Sequence, residues 1–311
     1  MPRSILIIVL SCVIVLIGAP HALTDDRLPV FVSIAPQKYF VQQIGKDQVD
    51  VQVMMPSGVD PHSYEPRPQQ MIAISKAKLY FAIGIEFEKA YLSKIVSINP
   101  QIKVVHTDRG IRKIPMVAYH HKDEEGELHG KENEHGAKGE NPGEEDHGRS
   151  ELDPHIWLSP PLVKIQARNI LSALLEIDPS HRTIYQANYQ QFISQIDKLD
   201  TELKKIFAGK QGLQFIVFHP AWGYFARAYG LDQVPIEIEG KNPKPAQLKE
   251  LIEHAREKGI KVIFVQPQFS RKSAELVAKE IGGQVAFADP LAEDWLANLR
   301  EVAAKFKAAL K

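Results

Sequence analysis

The chain has 311 residues, 44% of them hydrophobic, enough to bury the cores of two ordinary domains or one large one. Its 38 basic and 38 acidic residues cancel, and because residues 122–151 hold eleven acids against four bases, the remainder is basic by about seven charges. That excess is too diffuse to argue for nucleic acid, and a single cysteine, Cys12, excludes a disulfide framework within the chain.

The chain opens Met1-Pro2-Arg3-Ser4, followed by thirteen apolar or small residues at 5–17 and then Gly18-Ala19-Pro20-His21-Ala22. A bilayer-spanning helix needs about 20 apolar residues. This stretch therefore reads as an export signal over 1–22, cleaved near Ala22. Cys12, behind Val9-Leu10-Ser11, faintly resembles a lipoprotein acylation site, but the apolar core ahead of it is unusually short. A mature chain cut at Ala22 has no cysteine, so any metal site in it must use nitrogen and oxygen ligands.

Past the signal, apolar runs at 29–34, 49–55, 79–83 and 102–106 read as strands, and apolar spacing at 40–44, 71–76 and 87–95 reads as helices. The alternation predicts a parallel sheet, whose ligands bind at the carboxyl ends of the strands. Between the second strand and the next helix runs Pro56-Ser57-Gly58-Val59-Asp60-Pro61-His62-Ser63-Tyr64-Glu65-Pro66, a breaker-rich turn that places His62 on a loop past a strand end.

Residues 119–151 are acidic and rich in histidine: His120, His121, His129, His135 and His147. Apart from proline, only Leu128 and Ala137 are apolar between His120 and Glu151, too little to offset the entropy of ordering, so a disordered loop with weak, exchangeable metal sites is expected. It closes on Asp153-Pro154-His155-Ile156-Trp157-Leu158-Ser159-Pro160.

A helix at 161–177 precedes the longest predicted element, 178–208, which Asp178 can cap, Pro179 can enter and Gly209 stops. Tyr185, Tyr189, Phe192, Ile196, Leu199, Leu203 and Ile206 form one apolar stripe along it, fit for a strut laid across both halves of the protein. The second half repeats the strand–helix alternation, with strands at 214–218, 234–238, 261–266 and 285–289 and helices at 221–229, 246–258, 273–281 and 293–310. The expected organisation is an α/β fold of two lobes, 27–177 and 209–311, each a mostly parallel sheet flanked by helices and joined by the helix 178–208.

His219 directly follows the apolar strand Phe215-Ile216-Val217-Phe218, and Asp289 directly follows Val285-Ala286-Phe287-Ala288; a proline comes after each. Side chains at strand exits point where a parallel sheet presents ligands. His62, His155, His219 and Asp289 together offer three nitrogens and a carboxylate oxygen, a tetrahedral set suited to zinc and drawn from both halves. Asp289 is the weakest member, because strand-end aspartates commonly cap the next helix. His106, His181 and His254 have no motif around them and read as ordinary surface or strand-end residues.

The segments around His62, His155 and His219, the last within Phe218-His219-Pro220-Ala221-Trp222-Gly223-Tyr224-Phe225, resemble the three signature segments of the metal-binding receptors of ABC importers, cluster A-I. Asp289-Pro290-Leu291 resembles the fourth. The resemblance implies two α/β lobes, one long helix, and a divalent metal in the cleft between them. It also implies a monomeric, periplasmic receptor, not an enzyme, that hands its ion to a membrane permease and its ATPase. A His-rich loop before the second histidine and a histidine at the third position are, in that family, marks of zinc uptake, with Zn2+ as the transported ligand. Manganese or mixed specificity is the nearest alternative, and water can replace Asp289 as the fourth ligand. A zinc hydrolase lacks support, since no H-E-x-x-H helix is present and Glu65 is the one nearby base candidate. An adhesive surface protein is the remaining class, distinguished by lack of tight metal binding.

Overall fold

The computed structural model describes residues 27–56, 58–59, 64–116, 152–237, 243–269 and 271–310. The expected export signal 1–22, His62 and the His-rich segment 119–151 with its five histidines lie outside the described residues.

Strands β1 (Leu28–Ile34), β2 (Val49–Met55), β3 (Leu79–Ala82) and β4 (Lys103–His106) form one sheet, ordered β2-β1-β3-β4 and parallel throughout. Helices α1 (Ala35–Gly45), α2 (Pro68–Ile74) and α3 (Glu86–Ile98) make its crossovers. Strands β5 (Gln214–Val217), β6 (Asp232–Pro235), β7 (Val262–Val265) and β8 (Gln284–Phe287) repeat the order as β6-β5-β7-β8. Their crossovers are α6 (Gly223–Tyr229), α7 (Pro245–Glu257) and α8 (Lys272–Glu280), and α9 (Trp295–Ala309) follows the last strand. In this order successive strands are added to one side of β1 and then, from β3 on, to the other, and the same switch falls between β5 and β7. A crevice opens at such a switch point, beyond the carboxyl ends of the two strands.

Helices α4 (Pro160–Ile177) and α5 (Arg182–Ile206) join the lobes. The linking helix has 25 residues, about 37 Å at 1.5 Å per residue, and so is shorter than the expected 178–208 rod. The first turn of that rod is a separate 3-10 turn, Pro179–His181. Asp178 enforces the break, since its carboxylate accepts from Ser180 Oγ (2.5 Å), His181 Nδ1 (2.6 Å) and Tyr185 OH (2.5 Å). Helix starts shift elsewhere too: α1 begins at Ala35 rather than 40, because Pro36 suits a first turn whose N–H groups need no partner.

Tyr185, Phe192, Ile196, Leu199 and Leu203 of the predicted stripe are buried. Phe192 meets Phe40 of α1 at 6.0 Å between ring centres, and Phe40 meets Trp295 of α9 edge-on at 5.2 Å. These rings tie the first lobe, the linking helix and the second lobe into one continuous hydrophobic core. In the second lobe the strands alternate: Phe215, Val217 and Phe264 face that shared core, while Ile216, Phe218, Ile263 and Val265 face a separate cluster under α7 and α8. No helix among the described residues is long and apolar enough to cross a membrane.

Candidate metal centre

His219 sits at the switch point of the second sheet, two residues past β5. Gln266, just past β7, holds its backbone from both sides: Gln266 Oε1 accepts from His219 N (3.2 Å) and Gln266 Nε2 donates to His219 O (2.7 Å). The Phe269 ring stacks on the imidazole at 4.9 Å and 24°. Nδ1 of His219 lies 2.7 Å from Glu237 Oε1, and both residues are buried. A carboxylate only accepts, so this contact places the proton on Nδ1 and the lone pair on Nε2.

His155 is built differently. It precedes the 3-10 turn Ile156–Leu158, and Asp153, two residues before it, accepts from both His155 N (2.8 Å) and His155 Nδ1 (2.7 Å) through Oδ1. One carboxylate oxygen thus sets both the turn and the tautomer, again leaving the Nε2 lone pair.

The two Nε2 atoms face each other at 3.4 Å, with both rings nearly buried. Two lone pairs at that distance repel unless a cation or a proton lies between them. Two nitrogens on one tetrahedral zinc, each bonded at about 2.0–2.1 Å, are about 3.3–3.4 Å apart, so the donor set and its spacing fit such an ion.

Of the residues singled out from sequence, the structure therefore brings His155 and His219 together, while His62 lies outside the described residues. Asp289 stands at the exit of β8, where its Oδ1 accepts from Gln268 Nε2 (3.0 Å) and Leu291 N (2.9 Å). Among the described residues no group of three His, Cys, Asp or Glu is assembled that could hold a metal ion. His106 is exposed beside Asp108, His181 belongs to the Asp178 turn, and Nε2 of His254 lies 2.8 Å from Gln214 Oε1.

Sequence reasoning missed Glu237, and it passed over Asp153 inside a quoted motif. The signal for Glu237 is an acid in the otherwise apolar exit of β6, Val234-Pro235-Ile236-Glu237, with 5% exposure in the fold.

Contacts across the cleft fix the two histidines relative to one another. Trp157 Nε1 donates to Pro290 O (2.7 Å), and Trp295 Nε1 donates back to Trp157 O (2.6 Å). Tyr224 OH donates to Asp153 O (2.8 Å) and accepts from Ile114 N (3.0 Å). Gly223 leaves room for the Asp153 carboxylate at this crossing, because a Cβ there would lie 2.8 Å from Asp153 Oδ2 and force it to shift. On the first lobe's side, Gln70 Nε2 donates to Met54 O (2.7 Å) while its Oε1 accepts from Tyr64 OH (2.5 Å) and Arg67 N (2.9 Å), which ties the end of β2 to the start of α2. Behind the cleft, Glu88 accepts from Ser33 Oγ (2.5 Å), Ile83 N (2.8 Å) and Gly84 N (2.7 Å). Burial pushes its carboxyl above the usual range despite those donors.

Two parallel-sheet lobes sharing one long helix, with a metal-ready imidazole pair in the cleft, define a periplasmic-type solute receptor for metal ions rather than a catalyst. A family model described as "Zinc-uptake complex component A periplasmic" matches residues 30–309, and the chain belongs to that family, whose members are substrate-binding transport proteins and not enzymes. The high-affinity zinc uptake system protein ZnuA of Bacillus subtilis is 30% identical over 263 residues, 83% of this chain and 77% of that one. A crystal structure of ZnuA superposes with a TM-score of 0.80 at 41% identity, covering 92% of this chain and 100% of the other. A zinc-bound ZnuA deletion mutant, also 41% identical, gives 0.79 over 92% and 99%.

Proposed function

We propose that this protein captures zinc between its lobes and delivers it to an ABC-type membrane permease and its ATPase. His62, His155 and His219 are the nitrogen ligands in this reading, with Asp289, or a water in its stead, as the oxygen ligand completing four-coordination. The observation that carries it is the Nε2 pair at 3.4 Å, each imidazole anchored through Nδ1 on its own buried carboxylate. Anchored neutral imidazoles favour zinc over manganese by softness and by the Irving–Williams order. The naming of relatives for zinc uptake supports the same choice. The chain acts as a monomer in the periplasm after losing residues 1–22, and the histidines of 119–151 serve as accessory weak sites.

The test is a zinc titration, against a competing chelator, of mature protein lacking residues 120–150. One tight site per chain, preferring zinc to manganese, is the expected result. Loss of tight binding with the segment, in a chain that stays folded, overturns the assignment and makes the His-rich segment the principal site.

A further inference from the structure

The outer face of the first lobe carries charge and aliphatic surface that the metal centre does not use. Right-handed crossovers place α2 and α3 together on one side of the first sheet and α1 on the other, against α5. Asn99, just past α3, locks the two helix ends together: its Nδ2 donates to Ile74 O (3.0 Å) and Ala77 O (2.8 Å). The two helices end where β3 and β4 are about to begin, so this junction lies at the amino edge of the sheet, opposite the cleft. Around it Ile72 is 66% exposed, Val96 41% and Ile98 39%.

Between Arg67 and Pro100 the exposed charges are Arg67, Lys76, Lys78, Lys89 and Lys94 against Glu86 alone. Lys94 lies four residues before Ile98 and so shares its side of α3, while Lys76 and Lys78 flank Ala77 at the junction itself. Among the described residues none of these bases is in an ion pair. On the outer helices of the second lobe, by contrast, Lys249 pairs with Glu253 (3.8 Å), Arg256 with Glu280 (3.2 Å) and Arg271 with Glu275 (3.3 Å). A second copy of the chain would set the same lysines face to face, which like charge opposes. Protein interfaces deplete lysine and favour aromatic residues, methionine and arginine, whereas lysines interleaved with aliphatic side chains suit an anionic bilayer surface.

We propose that the α2–α3 junction rests on an anionic phospholipid surface, with Ile72, Val96 and Ile98 entering the headgroup layer and Lys76, Lys78 and Lys94 against the lipid phosphates. No helix among the described residues is long and apolar enough to cross a bilayer, so the contact lies in the interface plane. Because the junction is opposite the carboxyl edge of the sheet, a chain bound in this way keeps its cleft open to solvent and loads its ion at the membrane surface. The contact is independent of which side chains hold the metal.

The test is cosedimentation of the mature full chain with vesicles of phosphatidylglycerol and phosphatidylcholine in equal parts, set against phosphatidylcholine alone. The chain is expected to partition onto the anionic vesicles at low salt and to leave them as salt is raised. Lys76→Gln combined with Lys94→Gln is expected to weaken partitioning roughly 25-fold, about fivefold for each lysine. Ile72→Ser is expected to weaken it at least about fourfold, the worth of one buried methylene. Lys249→Gln combined with Lys279→Gln removes the same charge from exposed positions on the outer helices of the second lobe, and is expected to change partitioning by less than about twofold. If the two double variants weaken partitioning equally, net charge rather than this face is responsible and the proposal falls. A chain that ignores both vesicles, or binds the neutral ones as well, also overturns it; binding to soluble poly-glutamate without binding to lipid gives the face to an acidic protein instead. Zinc affinity of the vesicle-bound chain, read by chelator competition, is expected to match that of the free chain. A loss of affinity on binding lipid would place the contact at the cleft and refute the junction.

Discussion

The two halves of the centre hold the same imidazole in the same tautomer by different means. His155 is oriented by its neighbour: Asp153, two residues back, bonds both its backbone and its ring. His219 is oriented by the tertiary fold: Glu237 arrives from 18 residues on at the end of β6, and Gln266 and Phe269 arrive from the far side of β7. One half-site is written into a single turn and the other exists only once its sheet has formed. Damage to the second lobe's sheet should therefore misplace His219 while sparing the local geometry of His155.

The largest expected effect is removal of either ring. His155→Ala or His219→Ala should each weaken zinc binding by more than about a hundredfold, beyond the 10–100-fold range of supporting partners, as read by chelator competition. Equal losses would mark the pair as one unit; a loss confined to one residue would mean that a single ring holds the ion. Next come the carboxylates. Glu237→Gln should weaken zinc by roughly 10–100-fold with little change in stability, because the amide no longer fixes the Nδ1 proton. Asp153→Ala should lower both affinity and thermal stability, since it also removes the turn bond to His155 N.

A smaller effect is expected from Gly223→Ala, which touches no ligand. Its new Cβ would sit 2.8 Å from Asp153 Oδ2, so the carboxylate must move and His155 with it. A roughly tenfold loss in zinc affinity with the Glu237–His219 side unaffected would sharpen the distinction, and wild-type affinity would refute the coupling.

The smallest effect concerns pH. The Glu88 carboxyl is raised above its unfolded value by burial, so the folded state holds a proton that the unfolded state has released in the window above the ordinary carboxylate range. Wild-type stability relative to Glu88→Gln should thus rise as pH falls from neutral toward 4.5, and denaturant midpoints of the two proteins across that range check the sign.

The central strands were legible because parallel strands buried on both faces, such as β3 and β5, read as short apolar runs, whereas β6 begins at Asp232 and shares only Val234 and Pro235 with the expected 234–238. Helix starts were less so: the sequence pattern registers apolar faces, whereas Pro36 and Asp178 act through backbone donors and a local carboxylate turn. At the candidate centre, His155 and His219 were singled out at chain punctuation marks, and the fold brings their Nε2 atoms within 3.4 Å of each other. Glu237, Gln266 and Gln268 were not, because each matters only through a neighbouring strand that is remote in sequence. Asp289 was singled out for its strand exit, and its turn bond to Leu291 N, made through Oδ1 alone, is the part of its environment that the Asp-Pro-Leu sequence does not display.

The ring contacts along α5 bear on how the molecule comes apart. Because one apolar cluster runs from the first sheet through Phe40, Phe192 and Trp295 into the inner face of the second sheet, neither lobe owns a core it can melt alone. Calorimetry should record a single heat-absorption peak for both lobes. The outer cluster of Ile216, Phe218, Ile263, Val265 and Val277 is separate, and amides of α7 and α8 should exchange with deuterium through a lower-energy partial opening than those of α5. The receptor is in this sense one cooperative body wearing a detachable outer layer behind His219.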